Sequence, residues 1–392
     1  MTGSDKCIVL EGLCNVVRML PAEQAVSYAI LYLDWIKSSI RTICEMHAVN
    51  GAAEELVTVI HLMTVVIRYV ARPNSSTTVS FVSYFEENWG LFSEILSVFG
   101  QNEDVVEAIC RFFKYFMRQN QSRFTSLLQS TTNLILEGFR QTHISSYIYC
   151  GSVIVGEYGC YERWKSEKRL ISSCQSIIHQ ILTEFCDSTL TFLASSPDAY
   201  TQNPFIVEDL YDLCGRSLQT IPQVMFSVED VILRITQAAI AGIQLQHREA
   251  NRSILRYLDC LLMFGREQKP EEGEIVSKEG NYRAQILRIL QVCGQDLMNQ
   301  LIAALIGGLP ESRIKELGVT VVSVLASFYD SFEDIFMNLL STSIGSIPEK
   351  LFSRQEKEEF LQEIYQKNYS IGRFEKSMIR LSSITRSRAQ HE

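Results

Sequence analysis

The sequence predicts an all-α fold of stacked antiparallel helix pairs, and three observations predict it. Amphipathic segments follow one another from Cys7 to Leu381 with apolar residues recurring at helical spacing, and no stretch alternates convincingly as a strand would. The 46% hydrophobic content of this 392-residue chain is enough to bury a large core. The Pro, Gly and Asn signals between segments set off paired helices at a spacing of roughly 40 to 47 residues, which fits HEAT-type repeats better than the shorter tetratricopeptide unit.

Each element has its own punctuation. Residues 7–20 form a helix stopped by Pro21, residues 22–48 a longer one ended by Asn50-Gly51, and residues 52–72 a third closed by Pro73-Asn74-Ser75-Ser76. Residues 78–99 end at Gly100. Asn102 is placed to cap the next helix, which stops near residues 119–122 and is followed by 123–140. Residues 147–157 lead into a turn at Tyr158-Gly159. Further helices are expected at 166–194, 207–219, 228–245, 252–265, 282–306, 313–328, 332–340 and 355–369. Segments 195–204 and 266–274 carry the Pro, Ser and Glu content of surface loops, and neither reads as a domain linker. Residues 1–392 are therefore read as a single continuous helical-repeat domain. Its tail, 373–392, holds Arg373, Lys376, Arg380, Arg386 and Arg388, and either frays or docks as a final helix.

Charge and cysteine usage narrow the function. A net charge of −9 argues against a nucleic-acid binder, whose basic footprint would dominate the domain. Eleven cysteines, scattered singly and mostly among apolar neighbours, read as buried thiols of a reducing compartment. The sequons at Asn74, Asn120, Asn251 and Asn368 would then escape glycosylation. Residues 1–6 are polar and residues 7–20 are broken by Glu11, Asn15 and Arg18, so no signal peptide is read at the start. The most apolar stretch, 56–71, contains His61 and Arg68 and is shorter than the roughly 20 residues a membrane span needs. The expectation is a soluble chain without membrane or direct nucleic-acid partners.

Within this acidic chain, residues 107–118 concentrate positive charge on one helix. At about 100° per residue, Arg111, Lys114 and Arg118 fall within roughly 60° of one another. Val105, Val106, Ile109, Phe112, Phe113, Phe116 and Met117 take the other side. Such a cationic ridge can grip a phosphorylated or acidic segment. The plainer reading is a solvated face in which Glu107 pairs with Arg111 at i,i+4 and nothing binds.

Catalytic motifs are missing from the sequence. It has no G-x-x-x-x-G-K-[ST] loop, no H-E-x-x-H and no G-x-S-x-G. Cys44 with His47, and Cys174 with His179, offer two ligands apiece where zinc wants four. Cys150 with His143 lacks an orienting group and an oxyanion pocket. Neither an enzyme, nor a metal site, nor a cofactor is expected. Trp35, Trp89 and Trp164 read as packing residues.

Four stretches carry a family resemblance: 111–118 (RFFKYFMR), 149–159 (YCGSVIVGEYG), 203–210 (NPFIVEDL) and 245–251 (LQHREAN). In order and spacing they resemble the carboxy-terminal half of the transportin-3/importin-13 branch of the importin-β family. The resemblance implies a HEAT-repeat superhelix and nuclear import of serine/arginine-rich splicing factors, shuttling between cytoplasm and nucleus. It also implies nucleoporins as partners and cargo release by Ran-GTP.

In that family an arginine-rich helix receives the phosphorylated arginine/serine segment of the cargo. Its positions fall here on Ala108, Arg111, Lys114 and Arg118, where the family pattern has four arginines. Lys114 keeps the charge without the planar fork that suits phosphate, and Ala108 gives up the contact. Members of the family are more than twice this length, so the chain reads as a fragment or shortened product with an incomplete Ran-GTP surface. The alternative reading is a helical scaffold joining proteins without a Ran-regulated cycle.

Overall fold

The computed structural model describes residues 2–71, 80–160, 168–266, 282–314, 316, 318–366 and 370–390, and no strand occurs among them. The chain divides into two compact units, Met1–Phe185 and Cys186–Glu392.

In the first unit the helices are α1 (Gly3–Arg18), α2 (Ala22–Glu45), α3 (Ala52–Val70), α4 (Val82–Glu87), α5 (Gly90–Phe99), α6 (Glu103–Asn120), α7 (Thr125–Thr142) and α8 (Ser146–Tyr158), with α9 (Lys168–Leu193) beginning there. One row runs α1, α3, α6, α8, each packed on the next; α2 packs on α3 and α5, and α7 on α8. The row's helices start at Gly3, Ala52, Glu103 and Ser146, spacings of 49, 51 and 43 residues, which lie about the upper end of the HEAT range and well beyond the tetratricopeptide unit.

Local chemistry sets the ends of these rods. Thr2 and Asp5 form a reciprocal capping box on α1, with Asp5 N donating to Thr2 Oγ1 (3.2 Å) and Thr2 N to Asp5 Oδ2 (2.8 Å). Gly51, at φ +87°, supplies the left-handed turn into α3, whose first turn carries Glu54 and Glu55 and whose last carries Arg68, in line with the helix dipole. The predicted cap of α6 is present: Asn102 Oδ1 accepts from Val105 N at 3.0 Å. Asn120 closes the same helix by donating from Nδ2 to Phe116 O (2.9 Å) while Oδ1 accepts from Ser80 Oγ (2.8 Å).

Residues 82–99 form two helices where one was expected. Asn88 Nδ2 donates to Tyr84 O (2.8 Å) and Lys37 Nζ donates to Asn88 Oδ1 (3.1 Å), so the side chain of Asn88 ends α4 before Gly90 opens α5. Beneath the row lies an aromatic core. Phe85, Phe92, Phe112, Phe113, Phe116 and Phe124 are all fully buried. Phe116 meets Phe85 at 4.9 Å and Phe124 at 5.1 Å, and Phe113 meets Phe92 at 4.8 Å. Trp89 joins this cluster, 5.7 Å from Phe113. Trp35 does not pack as expected, because it is 56% exposed on α2 beside other uncovered apolar residues, Tyr28 and Leu31. Trp164 lies outside the described residues.

The second unit takes the end of α9 and adds α10 (Ala199–Gln202), α11 (Pro204–Thr220), α12 (Pro222–Ser227), α13 (Glu229–Ala241), α14 (Arg248–Met263), α15 (Arg283–Ala303), α16 (Glu311–Ile314), α17 (Val321–Ser331), α18 (Glu333–Gly345), α19 (Arg354–Ile364) and α20 (Ile371–Ala389). Its rows are α11, α14, α17, α20 and α13, α15, α18. The expected helix at 313–328 is broken. Gly318 takes φ +110°, and Thr320 forms a capping box with Ser323 that starts α17 afresh. α14 begins before residue 252 because His247 Nδ1 accepts from Ala250 N (3.3 Å) as its cap. Asn251, a sequon residue, is buried and donates from Nδ2 to Ile243 O (2.7 Å). α15 widens into a π-helical turn over Ala304–Gly308.

The last helix is anchored at two places. Ser382 Oγ donates to Leu305 O (2.7 Å), and Arg386 reaches Leu305 O (3.0 Å) and Ala304 O (3.1 Å). Arg388 forms a two-pronged pair with Glu356, at 2.7 and 2.8 Å. Arg388, followed by the Ser353 cap, pushes the Glu356 carboxyl down to about 2.

Two measurements test this packing. Phe116→Ala should cost on the order of 3 to 5 kcal/mol in denaturant-induced unfolding, because the ring is fully buried among aromatic neighbours. Glu356 has a depressed folded pKa, so its contribution is present above the unfolded carboxyl value and is lost as pH falls towards 2. Glu356→Gln should therefore lower the melting temperature at neutral pH, and the difference from wild type should shrink steadily below about pH 4.5.

Candidate anion-binding surface

α6 presents its outer stripe between α3 and α8, the two helices that flank it in the row. Val105, Val106, Ile109, Phe112, Phe113, Phe116 and Met117 are buried, as the periodicity predicts. Arg111 and Arg118 have side chains 50% and 46% exposed, and Lys114 is half-buried between them. Ala108 is 2% exposed, so the position nearest the amino end of the stripe belongs to the packed side.

Each cation of the stripe has a partner within the unit. Arg111 Nη2 donates to Glu107 Oε1 one turn earlier. Lys114 Nζ donates to Tyr149 Oη of α8 at 2.6 Å and sits 5.3 Å from the centre of that ring. Arg118 Nε donates to Glu157 Oε1, also on α8, at 2.9 Å. The turn after α6 is held by the same neighbour, since Tyr158 Oη donates to Gln121 O (3.0 Å) where Gln121 takes φ +47°. The 149–159 stretch that carries part of the family resemblance is thus α8, and it supplies two of the stripe's three partners.

The structure also adds residues that the sequence reading missed. Arg68, in the last turn of α3, places its guanidinium 5.0 Å from the Tyr115 ring of α6 and 5.2 Å from the Tyr69 ring. The Glu11 carboxylate of α1, beside Tyr69, raises its phenol above the usual range. His61 lies near Arg111 and Glu107; burial and then the Arg111 charge hold its imidazole below the ordinary range, so it adds no positive charge at neutral pH. The surface is a band of arginine, lysine and tyrosine across α3, α6 and α8. A band of this kind can bind anionic groups through charge-assisted hydrogen bonds, with the tyrosines fixing the cations in place.

The other candidate groups are dispersed. His47 Nδ1 lies 3.0 Å from the Cys44 carbonyl oxygen, on the backbone, and Cys174 is buried while His179 is exposed. Cys150 is buried, and His143 stands edge-on to Phe139 at 5.5 Å. All eleven cysteines are free thiols. Burial, with Glu11 adding to it, pushes Cys14 up to about 12, and burial pushes Cys44, Cys174, Cys260 and Cys293 up to about 11, so these side chains are poor nucleophiles. Among the described residues no cluster of three or more His, Cys, Asp or Glu side chains is placed to hold a metal ion.

Comparison with known proteins gives a consistent picture. Residues 81–193, from the end of the α3–α4 connection through α9, match the family described as the transportin-3/importin-13 fourth TPR domain. Transportin MOS14 of Arabidopsis thaliana is 24% identical over 362 residues, covering 92% of this chain and 35% of that protein. An uncharacterized protein of Schizosaccharomyces pombe is 19% identical over 355 residues, covering 90% and 36% respectively. A solved structure of importin-13 in its cytosolic state superposes with a TM-score of 0.80 at 15% identity, covering 99% of this chain and 41% of that one. The likeness in fold is to a helical-repeat solenoid, and the chain spans about a third of the length of the curated relatives it matches.

Proposed function

We propose that this chain is a transportin/importin-13-like member of the importin-β family, which the match over residues 81–193, the relatives and the shared fold support, and that it is the cargo-holding segment of a nuclear import receptor. Its cargo is a phosphorylated arginine/serine-rich segment of a splicing factor, bound through Arg111, Lys114 and Arg118 on α6. The observation that carries this reading is the band itself: four cations, Arg68, Arg111, Lys114 and Arg118, on adjoining helices of a chain whose net charge is −9. Arg68 extends the sequence-derived stripe onto α3. A phosphorylated segment lying across α3 and α6 meets more than one cation at a time, which matches the alternating charge of such cargo. The receptor shuttles between cytoplasm and nucleus, passes the pore by contacts with nucleoporins, and releases cargo to Ran-GTP, for which this stretch supplies part of the surface. It performs transport and no covalent chemistry.

A second reading, a helical scaffold without a Ran-regulated cycle, draws on the internal partners of the stripe, which leave each cation already engaged. Release of bound phosphopeptide on adding Ran-GTP favours the receptor; retention favours the scaffold.

The test of the surface is a titration of a phosphorylated arginine/serine peptide against its unphosphorylated form. Contacts to an ionised group are worth about 1.5 to 3 kcal/mol each, so Arg111→Glu/Arg118→Glu should abolish measurable binding of the phosphopeptide. The variant should stay folded with a modest fall in melting temperature, because both side chains are about half exposed but Glu107 and Glu157 then face like charge. Lys114→Arg should tighten binding by restoring a planar fork, and added salt should weaken it. Equal affinities for both peptides in wild type and double mutant would remove the surface from consideration.

A further inference from the structure

The partners of the stripe differ in kind, and the difference bears on what the surface admits. Arg111 and Arg118 are each held by a carboxylate, Glu107 and Glu157, whereas Lys114 is held by a neutral phenol, Tyr149. Resting on the reading of the stripe as a phosphate-binding surface, we infer that Glu107 and Glu157 are built-in competitors that close it to anions too weak to displace them, admitting segments that carry phosphomonoester groups and turning away merely acidic ones.

The geometry supports this in three steps. Lys114 lies in the middle of the stripe, one turn from each arginine, and uses one of its three donors on Tyr149, so an arriving anion meets it without displacing a carboxylate. To engage the flanking arginines, the ligand must then replace Glu107 or Glu157. A ligand carboxylate exchanges like for like, while a phosphate brings a charge of about −1.5 to −2 and three strong acceptor oxygens. Only the second exchange is clearly favourable.

The two glutamates are unequal. Glu107 is 56% exposed and sits on the same helix as Arg111, so water and salt screen that pair. Glu157 is 19% exposed and reaches Arg118 across the α6–α8 contact, so its pair is screened less. Glu157 is the stronger gate.

The experiment titrates three versions of one arginine/serine peptide, phosphorylated, glutamate-substituted and unmodified, into wild type, Glu107→Gln, Glu157→Gln, the double glutamine variant and Arg111→Glu/Arg118→Glu. Circular dichroism and melting curves verify that each variant is folded. Each glutamine substitution should raise affinity for the phosphopeptide by up to about fivefold, the upper end for loss of one surface ion pair, with Glu157→Gln giving the larger gain. The glutamate-substituted peptide should be undetectable on wild type and measurable on the double glutamine variant, and the unmodified peptide should gain nothing. If wild type binds phosphopeptide and the glutamine variants bind it equally or more weakly, the gate is overturned while the surface stands; weaker binding would place the glutamates on the ligand's arginines. If only the glutamine variants bind, the gate stands and the wild-type chain is not a receptor for this ligand. Absence of binding throughout overturns both.

Discussion

The burial of α6 on both flanks is the constraint on which the first unit depends. A helix in the middle of a row must give one flank to α3 and the other to α8, and its inner face to the aromatic cluster. What is left uncovered is a narrow stripe, widening to two neighbouring residues at Lys114-Tyr115 and Arg118-Gln119. Arg111, Lys114 and Arg118 are the cations of that stripe, and Tyr115 and Gln119 share its second half as partly exposed residues. The candidate site is therefore as fixed as the core beneath it, since Phe112, Phe113 and Phe116 have no room to turn. Its neighbours add the remaining cations and phenols at distances set by helix packing.

Electrostatics act within that frame. The chain as a whole is acidic, yet the band across α3, α6 and α8 collects arginine, lysine and tyrosine. Tyrosine rings hold Arg68 and Lys114 in defined places, and His61 stays neutral under the influence of burial and Arg111. Cations thus gather on one surface of a chain that is acidic as a whole, and the carboxylates of Glu107 and Glu157 stand among them.

Helical periodicity made the buried side of α6 and its two arginines legible from the sequence, because a 3.6-residue period reports which residues share a face. It could not report what stands opposite. Arg68, Tyr149 and Glu157 reach the stripe from other helices, and only the stacking order places them there. Ala108 shows the limit on a single helix: it lies one turn from Arg111, yet the adjoining helices bury it. The helix boundaries that failed share a cause as well. Asn88, His247 and Thr320 end or begin helices through side chain to backbone hydrogen bonds, and such bonds leave little trace in hydrophobic patterning. Trp35 was misread because size and apolarity predict burial only where a neighbouring element exists to cover the ring.

The anchoring of α20 has a consequence for how the second unit comes apart. Arg386 and Ser382 of α20 supply hydrogen bonds to the carbonyls of Ala304 and Leu305, which the π turn takes out of the regular α-helical pattern. Removing α20 would take these donors from Leu305 O, leave Ala304 O with the Leu309 N–H, and also release Glu356 from Arg388 at the start of α19. Opening of the carboxy-terminal helix is thus tied to loosening at the far ends of two others. The three are thereby coupled as one cooperative block, whose amides exchange with solvent together.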